Sequence, residues 1–200
     1  MLIYNSMIKL KDLLNEVQNS IVNDFPTEIQ TLQKYVKPGG ERDTDIDNAI
    51  QTLFNNKSKY PKELNPKAGE VYRGTIENIE ELKVMKPIKK DGRWFYYKKE
   101  YKSKRKVQSF TYKEEIADKF AMHNGLSNTM YGSGDGISAI IITNVDNNFV
   151  VNPKWLYDEI GKNVGLKRNE QETFHVGHTI SNALVKVDAL ALFGHNWRDK

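Results

Sequence analysis

The chain has 200 residues, which fits one domain or one domain with a helical extension, and 38% of them are hydrophobic, enough to bury a core. Charged residues make up 28%, and the formal net charge is +4. The chain has no cysteine, which excludes disulfide bonds, thiol catalysis and zinc sites built on thiolates.

The first 14 residues, MLIYNSMIKLKDLL, mix polar with apolar side chains and have no small-residue cleavage site, so we expect no signal peptide. No apolar run approaches the roughly 18 residues that a membrane-spanning helix needs. We therefore expect a cytoplasmic protein, acting in a bacterium or in its host.

Residues 1–65 have the pattern of a helical lobe. Apolar side chains recur at helical spacing in three segments, which predicts amphipathic helices over residues 6–23, 26–36 and 45–54. Asp43 or Thr44 stands where the third helix needs an N-cap. A polar connection with two prolines follows at 55–69, so we place a domain boundary there and a second domain over 66–200.

The second domain has the pattern of short strands with one longer helix among them. The strands are predicted over residues 70–76, 106–112, 137–145, 172–176 and 182–192. Asp91-Gly92 predicts a two-residue hairpin turn, a helix over 113–124 is predicted to end near Gly125, and a flexible loop is predicted over 130–136. Helices first and strands afterwards indicate an α+β fold, which we expect to contain two packed, mostly antiparallel sheets.

Residues 83–106 are strongly basic. They contain nine lysines and two arginines against two acids, Asp91 and Glu100. Lysines on an edge strand block pairing with other chains, which explains the segment without a ligand. The segment can also be a platform for an acidic partner or a nucleic acid, because aromatic residues able to stack on bases stand between the charges. These are Trp94, Phe95, Tyr96, Tyr97 and Tyr101.

Two glutamates stand one residue apart, at Glu170 and Glu172. In a strand this spacing aims both carboxylates at one face, where they repel each other unless the face is bare surface or binds a cation. Earlier in the chain come Arg73, within VYRGT, and the pair Ser109 and Thr111, within QSFTYKEEIADKFA. Taken in this order, the three elements resemble the mono-ADP-ribosyltransferases of the Arg–Ser–Glu type, a family that includes bacterial toxins and phage-encoded enzymes.

The resemblance implies an enzyme that takes ADP-ribose from NAD through an oxocarbenium-like transition state and releases nicotinamide. Glu172 would stabilise the positive charge that develops on the ribose. Arg73 would bind the pyrophosphate, and Gly74 would let the main chain approach the nicotinamide closely. Ser109 would hold Glu172 in its productive rotamer, and Thr111, which stands where a second serine is frequent in the family, would support the strand.

On the acceptor side, the resemblance implies that Glu170 binds an arginine guanidinium and helps to remove its proton, since glutamate at this position accompanies arginine acceptors in the family. The basic segment 162–169 would form the acceptor-recognition loop. Residues 123–136 stand where the family has a flexible phosphate and nicotinamide loop, and Tyr131 within them would stack on the nicotinamide.

The expected function is therefore transfer of ADP-ribose to an arginine of a bacterial host protein, with the resemblance spanning roughly residues 70–190. Two alternatives remain open: an acceptor that is RNA or DNA, bound through the basic segment, and a binding module without catalytic activity. No metal is expected: His175 and His178 stand three apart, but Gly177 lies between them and no cysteine can complete a zinc site.

Overall fold

The computed structural model describes residues 24–37, 42–59, 65–90, 93–131, 136–156 and 171–187. The chain divides into two compact units, Met1–Pro66 with Val150–Asn169 and Lys67–Phe149 with Glu170–Lys200. Among the described residues, no helix is both long and apolar enough to cross a membrane.

Two helices of the first unit contact each other: α1, Pro26–Val36, and α2, Thr44–Asn55. Their buried residues are Ile29, Leu32, Tyr35, Val36, Ile46, Ala49, Ile50 and Leu53. The side chain of Asp43 accepts a hydrogen bond from the Ile46 N–H at 3.0 Å, and such an N-cap stabilises a helix by about 1 kcal/mol. Two of the predicted helices are thus confirmed, with Asp43 as the cap, and the helix predicted over 6–23 lies outside the described residues.

Eight strands make up the sheet on which the second unit is built. They are β1 Glu70–Asn78, β2 Pro87–Lys90, β3 Arg93–Lys102, β4 Val107–Thr111, β5 Gly136–Asn144, β6 Phe149–Val150, β7 Glu172–Val176 and β8 Thr179–Val187. Their order across the sheet is β2-β3-β8-β5-β1-β4-β7-β6. The α+β class is confirmed. The predicted two-sheet core is not confirmed, because hydrogen bonds link all eight strands into one sheet.

Strands β2 and β3 form the predicted hairpin. Lys90 pairs with Arg93, so the two residues Asp91-Gly92 connect the strands, as this dipeptide favours. Because β2 lies at one edge of the sheet, its lysines occupy the position where charge discourages pairing with other chains.

Two helices accompany the sheet: α3, Ile79–Lys83, which the sequence patterns did not predict, and α4, Glu114–Tyr131. Helix α4 continues past Gly125 to Tyr131, so the predicted helix end is wrong, and the first two residues of the loop predicted over 130–136 are helical, as are residues 123–131 of the segment that the resemblance assigns to a flexible loop. A single interior glycine costs a helix about 1 kcal/mol relative to alanine. That cost does not end a helix whose earlier turns are anchored by packing on β1 and β5.

Helix α4 packs closely against β1 at Gly74. A Cβ atom at this position would lie 2.2 Å from the Ala117 carbonyl oxygen and 2.4 Å from the Ala121 main-chain nitrogen. Both obstacles are backbone atoms, so no rotamer change can relieve the overlap. Packing alone therefore requires glycine here, and approach of the Gly74 main chain to nicotinamide stays a prediction.

The two faces of the sheet have separate apolar clusters. The cluster that includes α4 residues consists of Phe95, Ala117, Ala121, Ile140 and Ile142. The larger cluster contains Val71, Tyr96, Ala139 and Ile141 together with Phe110 and Phe149. Consecutive residues of β5, such as Ile140 and Ile141, divide between the two clusters, as the alternation of a strand requires.

Strand β8 changes its alternation at Asn182, which has a left-handed φ of +54°. Ile180 and Ala183 are three residues apart, yet both belong to the larger cluster. On the neighbouring strand, Tyr101 pairs with Ile180 and Lys98 pairs with Ala183. A local irregularity of this kind re-aims side chains, so Tyr101 and Lys98 are brought to the same face.

Candidate active site

The three motif elements lie on neighbouring strands of the sheet. Strand β1 with Arg73 is followed by β4 with Ser109 and then by β7 with Glu172. Arg73 and Ser109 are 36 positions apart in the chain, and Glu172 comes much later. The non-sequential strand order therefore brings together residues that are distant in sequence.

The side chain of Arg73 bridges β1 and β4. The two strands are aligned at Tyr72 and Thr111, so a continued ladder would set Gly74 opposite Ser109. At that point the Nη1 group of Arg73 donates a hydrogen bond to the Ser109 carbonyl oxygen at 2.9 Å. A guanidinium thus donates to a main-chain carbonyl of β4, which links the side chain of Arg73 to the strand that carries Ser109.

Glu172 begins β7 and is 4% exposed. It pairs with Thr111 on β4, while Ser109 pairs with Phe174, two residues further along β7. Residues that pair directly share a face of the sheet, and so do residues two apart on one strand. Ser109 and Glu172 are therefore diagonal neighbours on one face, at a separation that side chains can span.

The second hydroxyl residue of the motif, Thr111, is 4% exposed. Its Oγ1 accepts a hydrogen bond from the Lys113 N–H at 3.1 Å. This bond fixes the turn between β4 and α4, next to the strand position that pairs with Glu172. Thr111 thus has a clear structural role at the end of the strand, where the sequence predicted support.

The residue before Glu172 is Gln171, whose φ of +50° is left-handed. Strand β7 starts at Glu172, and whether the carboxylate of Glu170 shares a face with that of Glu172 stays a prediction. Glu170 itself lies outside the described residues, as does the predicted acceptor loop 162–169. Tyr131 ends α4, and its side chain is outside the described part of the chain.

Known proteins give no further guide to this arrangement. No protein-family model, curated protein or solved structure matches the chain. An assignment of function therefore rests on the motif residues and on their placement in the sheet.

The sequence did not reveal a polar cluster that lies beside Arg73. Glu77, which is 6% exposed, accepts a hydrogen bond from the Tyr101 hydroxyl at 2.9 Å and pairs with the Lys98 ammonium at 2.8 Å. Glu77 is on β1, whereas both partners are on β3, and β8 and β5 lie between those strands. One sequence pattern could have indicated this cluster: Arg73, Thr75 and Glu77 alternate along β1, which puts all three polar side chains on one face.

The aromatic residues of the basic segment are mostly occupied within the fold. Phe95 and Tyr96 are buried in the two apolar clusters, and Tyr101 binds Glu77. Tyr97 is half exposed, and its hydroxyl donates to a β8 side chain at 2.6 Å. The side chain of Trp94 is not among those described. The described part of a base-stacking platform therefore reduces to Tyr97.

A second buried polar pair lies across β4 and β7, where Gln108 faces His175. Both are fully buried, and neither ring nitrogen of His175 has a hydrogen-bond partner among the described residues. The rings of Phe110 and Phe149 meet the imidazole edge-on, with centroids 6.5 and 5.1 Å away. In the described ranges, no three histidine or acidic side chains are grouped closely enough to hold a metal ion.

Proposed function

We propose that the chain is a mono-ADP-ribosyltransferase that uses NAD as its substrate, with an arginine of a bacterial host protein as the favoured acceptor. The observation that carries the proposal is the placement of Arg73, Ser109 and Glu172 on three adjacent strands: Ser109 and Glu172 share one face, and Arg73, which alternates to the other face, binds the Ser109 carbonyl. Each residue type alone is common in proteins. Their convergence from distant parts of the chain supports a shared task.

The proposed chemistry follows from the environment of these side chains. The bond between nicotinamide and the ribose breaks, nicotinamide leaves, and positive charge develops on the ribose. A carboxylate in a buried position, such as Glu172, stabilises this charge more strongly than one in water, because the local dielectric constant is low. Arg73 binds the pyrophosphate, for which a guanidinium is suited by its permanent charge and its forked donors.

The acceptor step requires a second group. An arginine guanidinium is a poor nucleophile until it loses a proton, and in the proposed mechanism Glu170 binds it and takes that proton as the new bond to the ribose forms. The two carboxylates then have separate duties, one towards NAD and the other towards the acceptor.

The first test is transfer of label from NAD into a bacterial lysate by the wild-type chain and by Glu172→Gln. We expect Glu172→Gln to lower labelling about 100-fold or more, because the transition-state charge loses its counter-charge. Glu80→Gln, at an exposed glutamate of α3, is the matched control and should label normally. Undiminished labelling by Glu172→Gln would falsify the proposed role of this carboxylate.

A companion variant tests the division between the two acids. Glu170→Gln should retain release of nicotinamide from NAD but lose transfer to protein, because only the acceptor side is impaired. Equal loss of both reactions would instead assign Glu170 to the donor side.

One observation favours a nucleic-acid acceptor as the second candidate. Lys99, Lys104, Arg105 and Lys106 are all exposed at the end of β3 and just beyond it. Label that survives protease but not nuclease, and that falls at higher salt or on neutralising these four residues, would identify this acceptor. Lys98 must be left out of such a variant because it pairs with Glu77. A chain that releases no nicotinamide at all would fit the binding module.

A further inference from the structure

Two short connections meet at one end of the sheet. Residues 103–106 join β3 to β4, and residues 177–178 join β7 to β8, although three strands lie between the members of each pair. In a flat sheet the two members would be about 19 Å apart, which a connection of two residues cannot span. The sheet therefore curls, and the two connections come side by side.

Hydrogen bonds fasten these connections to each other. The Ser103 N–H donates to the His178 carbonyl oxygen at 2.8 Å, and the Gly177 N–H donates to the Lys106 carbonyl oxygen at 2.7 Å. The buried amide of Gln108 donates to main-chain carbonyls of both connections, at 3.3 and 2.8 Å. A loop held in this way has little conformational freedom to lose when it binds a partner.

The connection from β3 to β4 carries a run of cations. Four exposed cations, which we call the loop cations, lie in it and at the end of β3: Lys102, Lys104, Arg105 and Lys106. In the described part of the chain, none of these four side chains has an acid as a partner. Two acids lie in the vicinity: Glu100 on β3, and Asp146, whose loop is bonded to the end of β7 through Asn148. The four cations outnumber them, so the surface attracts anions.

An exposed aromatic ring lies further along β3. Tyr97 is 46% exposed, and its hydroxyl donates to the Asn182 side chain at 2.6 Å, which holds the ring in place. Tyr97 pairs with Leu184, which packs on the cluster that includes α4 residues, whereas Tyr101 packs on the larger cluster of the opposite face. Because Lys102 follows Tyr101, it shares a face with Tyr97, about 17 Å away along the strand.

We propose that this surface binds a single strand of nucleic acid, with phosphates on the loop cations and a base stacked on Tyr97. Closely spaced cations suit the repeated charge of a phosphate backbone, and an exposed aromatic ring can stack on any base. An acidic polypeptide would use the cations but would gain little from the ring. The surface also presents no helix to a groove, which favours a single strand over a duplex. Exposed residues of β8 border the path from the ring to the loop: Thr179, Ser181 and Asn182.

The surface lies at a distance from the candidate catalytic carboxylate. Lys106 precedes β4 at Val107, whereas Glu172 pairs with Thr111 at the other end of this strand. Four residues of a strand correspond to about 13 Å. The inference goes beyond the proposed function, because it concerns binding of nucleic acid whether or not nucleic acid is the acceptor.

The test measures binding of a short, fluorescently labelled oligothymidine by anisotropy, without NAD, over a range of salt concentrations. Four phosphate contacts predict that the logarithm of the binding constant falls with the logarithm of salt concentration with a slope of about −3. The triple variant Lys104→Gln, Arg105→Gln, Lys106→Gln should reduce this slope by about 2 and weaken binding at low salt by about tenfold or more.

A matched control removes the same charge at exposed lysines elsewhere, in the triple variant Lys34→Gln, Lys59→Gln, Lys119→Gln. Its affinity should stay within about twofold of the wild type, because salt screens distant surface charges. Equal losses in the two triple variants would mean that only the net charge matters, which overturns the proposed surface. Thermal melting of each variant, measured in parallel, identifies any loss that is due to unfolding.

The stacked base is tested at Tyr97. Tyr97→Leu removes the ring and should weaken binding about tenfold, whereas Tyr97→Phe keeps it and should bind within about twofold of the wild type. An abasic strand of the same length should bind Tyr97→Leu and the wild type equally. Should Tyr97→Leu not fold, the preference of the wild type for oligothymidine over the abasic strand gives the same comparison.

Three further results overturn the assignment of a nucleic acid. The first is that the wild type fails to bind oligothymidine at low salt. The second is that Tyr97→Leu binds oligothymidine as well as the wild type does, or that the wild type binds the abasic strand equally well. The third is that polyglutamate displaces the strand at an equal concentration of charges, which would identify an acidic polypeptide as the partner.

Discussion

The second unit buries two polar groups that differ in how their hydrogen bonds are met. In the cluster of Glu77, Lys98 and Tyr101, both carboxylate oxygens have a donor. In the pair of Gln108 and His175, the Gln108 amide donates to the carbonyls of Arg105 and Gly177. Its own oxygen and both imidazole nitrogens remain without partners among the described residues.

The difference teaches where this fold depends on polar contacts. A buried network in which every polar atom has a hydrogen-bond partner is rigid. Removing one member leaves the others without a partner in a region of low dielectric constant, which is costly. An unsatisfied buried group already carries that penalty, so removing it can stabilise the fold. Removing a member of the first group should therefore lower the free energy of unfolding, whereas removing His175 from the second should raise it.

Lys98→Met removes a partner from the cluster of Glu77, Lys98 and Tyr101, in which both carboxylate oxygens have a donor. We expect it to have the largest effect on stability. The Lys98 side chain is 16% exposed, and the substitution leaves the Glu77 carboxylate buried without its counter-charge. Removing one partner of a buried pair costs about 3 kcal/mol or more of the free energy of unfolding, measurable by urea denaturation. Lys99→Met, at an exposed neighbour on β3, should change it by less than about 0.5 kcal/mol. Similar effects of the two variants would show that the buried pair is not coupled to stability.

The pH dependence of stability tests the pair of Gln108 and His175. Burial lowers the pKa of His175 from its ordinary value of 6.5, while Asp146 and the Gly177 main chain pull it the other way. The unfolded chain therefore takes up a proton at a higher pH than the native chain does. Stability that is complete above pH 6.5 should be lost as the pH falls towards the native pKa, by up to about 1.4 kcal/mol per pH unit.

The contribution of His175 to the slope of stability against pH must be separated from the contributions of the other titrating groups. Unfolding free energies of the wild type and of His175→Leu, measured in parallel across this range, give the contribution of His175 by difference. A difference that does not change with pH would mean that the imidazole is not buried as a neutral group.

His175→Leu should also have a small effect of its own at neutral pH. It removes two buried nitrogens that have no hydrogen-bond partner of good geometry among the described residues, at nearly constant volume, so we expect the unfolding free energy to rise by about 1 kcal/mol. Gln108→Leu should lower it instead, because the amide donors serve two main-chain carbonyls. The same direction for both variants would contradict this difference between Gln108 and His175.

The sequence predicted those parts of the fold that depend on local chemistry. The hairpin at Asp91-Gly92, the cap at Asp43 and the strand that carries Arg73 all follow from residue type and spacing. The prediction ended α4 too early, near Gly125. The packing of α4 on the sheet, which the sequence does not show, outweighs the cost of this glycine. No local pattern indicates that β1 pairs with both β4 and β5, because that pairing depends on contacts between distant strands.

The residues of the candidate site likewise divide into those that the sequence predicted and those that it did not. Arg73, Ser109, Thr111 and Glu172 were selected from sequence order, and the fold brings the strands that carry them together. Glu77, Lys98 and Tyr101 were missed because their contact crosses two intervening strands. It also requires a left-handed residue at Asn182, which a strand-like sequence such as TISNALVKV does not indicate.

The left-handed turn at Gln171 has a consequence for how the protein can change. A strand transmits its register, so a substitution inside β7 that shifts the ladder would move Glu172, Phe174 and His175 together. The Gln171 carbonyl accepts a hydrogen bond from the Tyr112 N–H at 3.4 Å, so this residue stays tied to the end of β4 although its backbone is left-handed. A β-branched residue at position 171 would be strained in that conformation, and the strain would fall on the first residue of β7, which is Glu172.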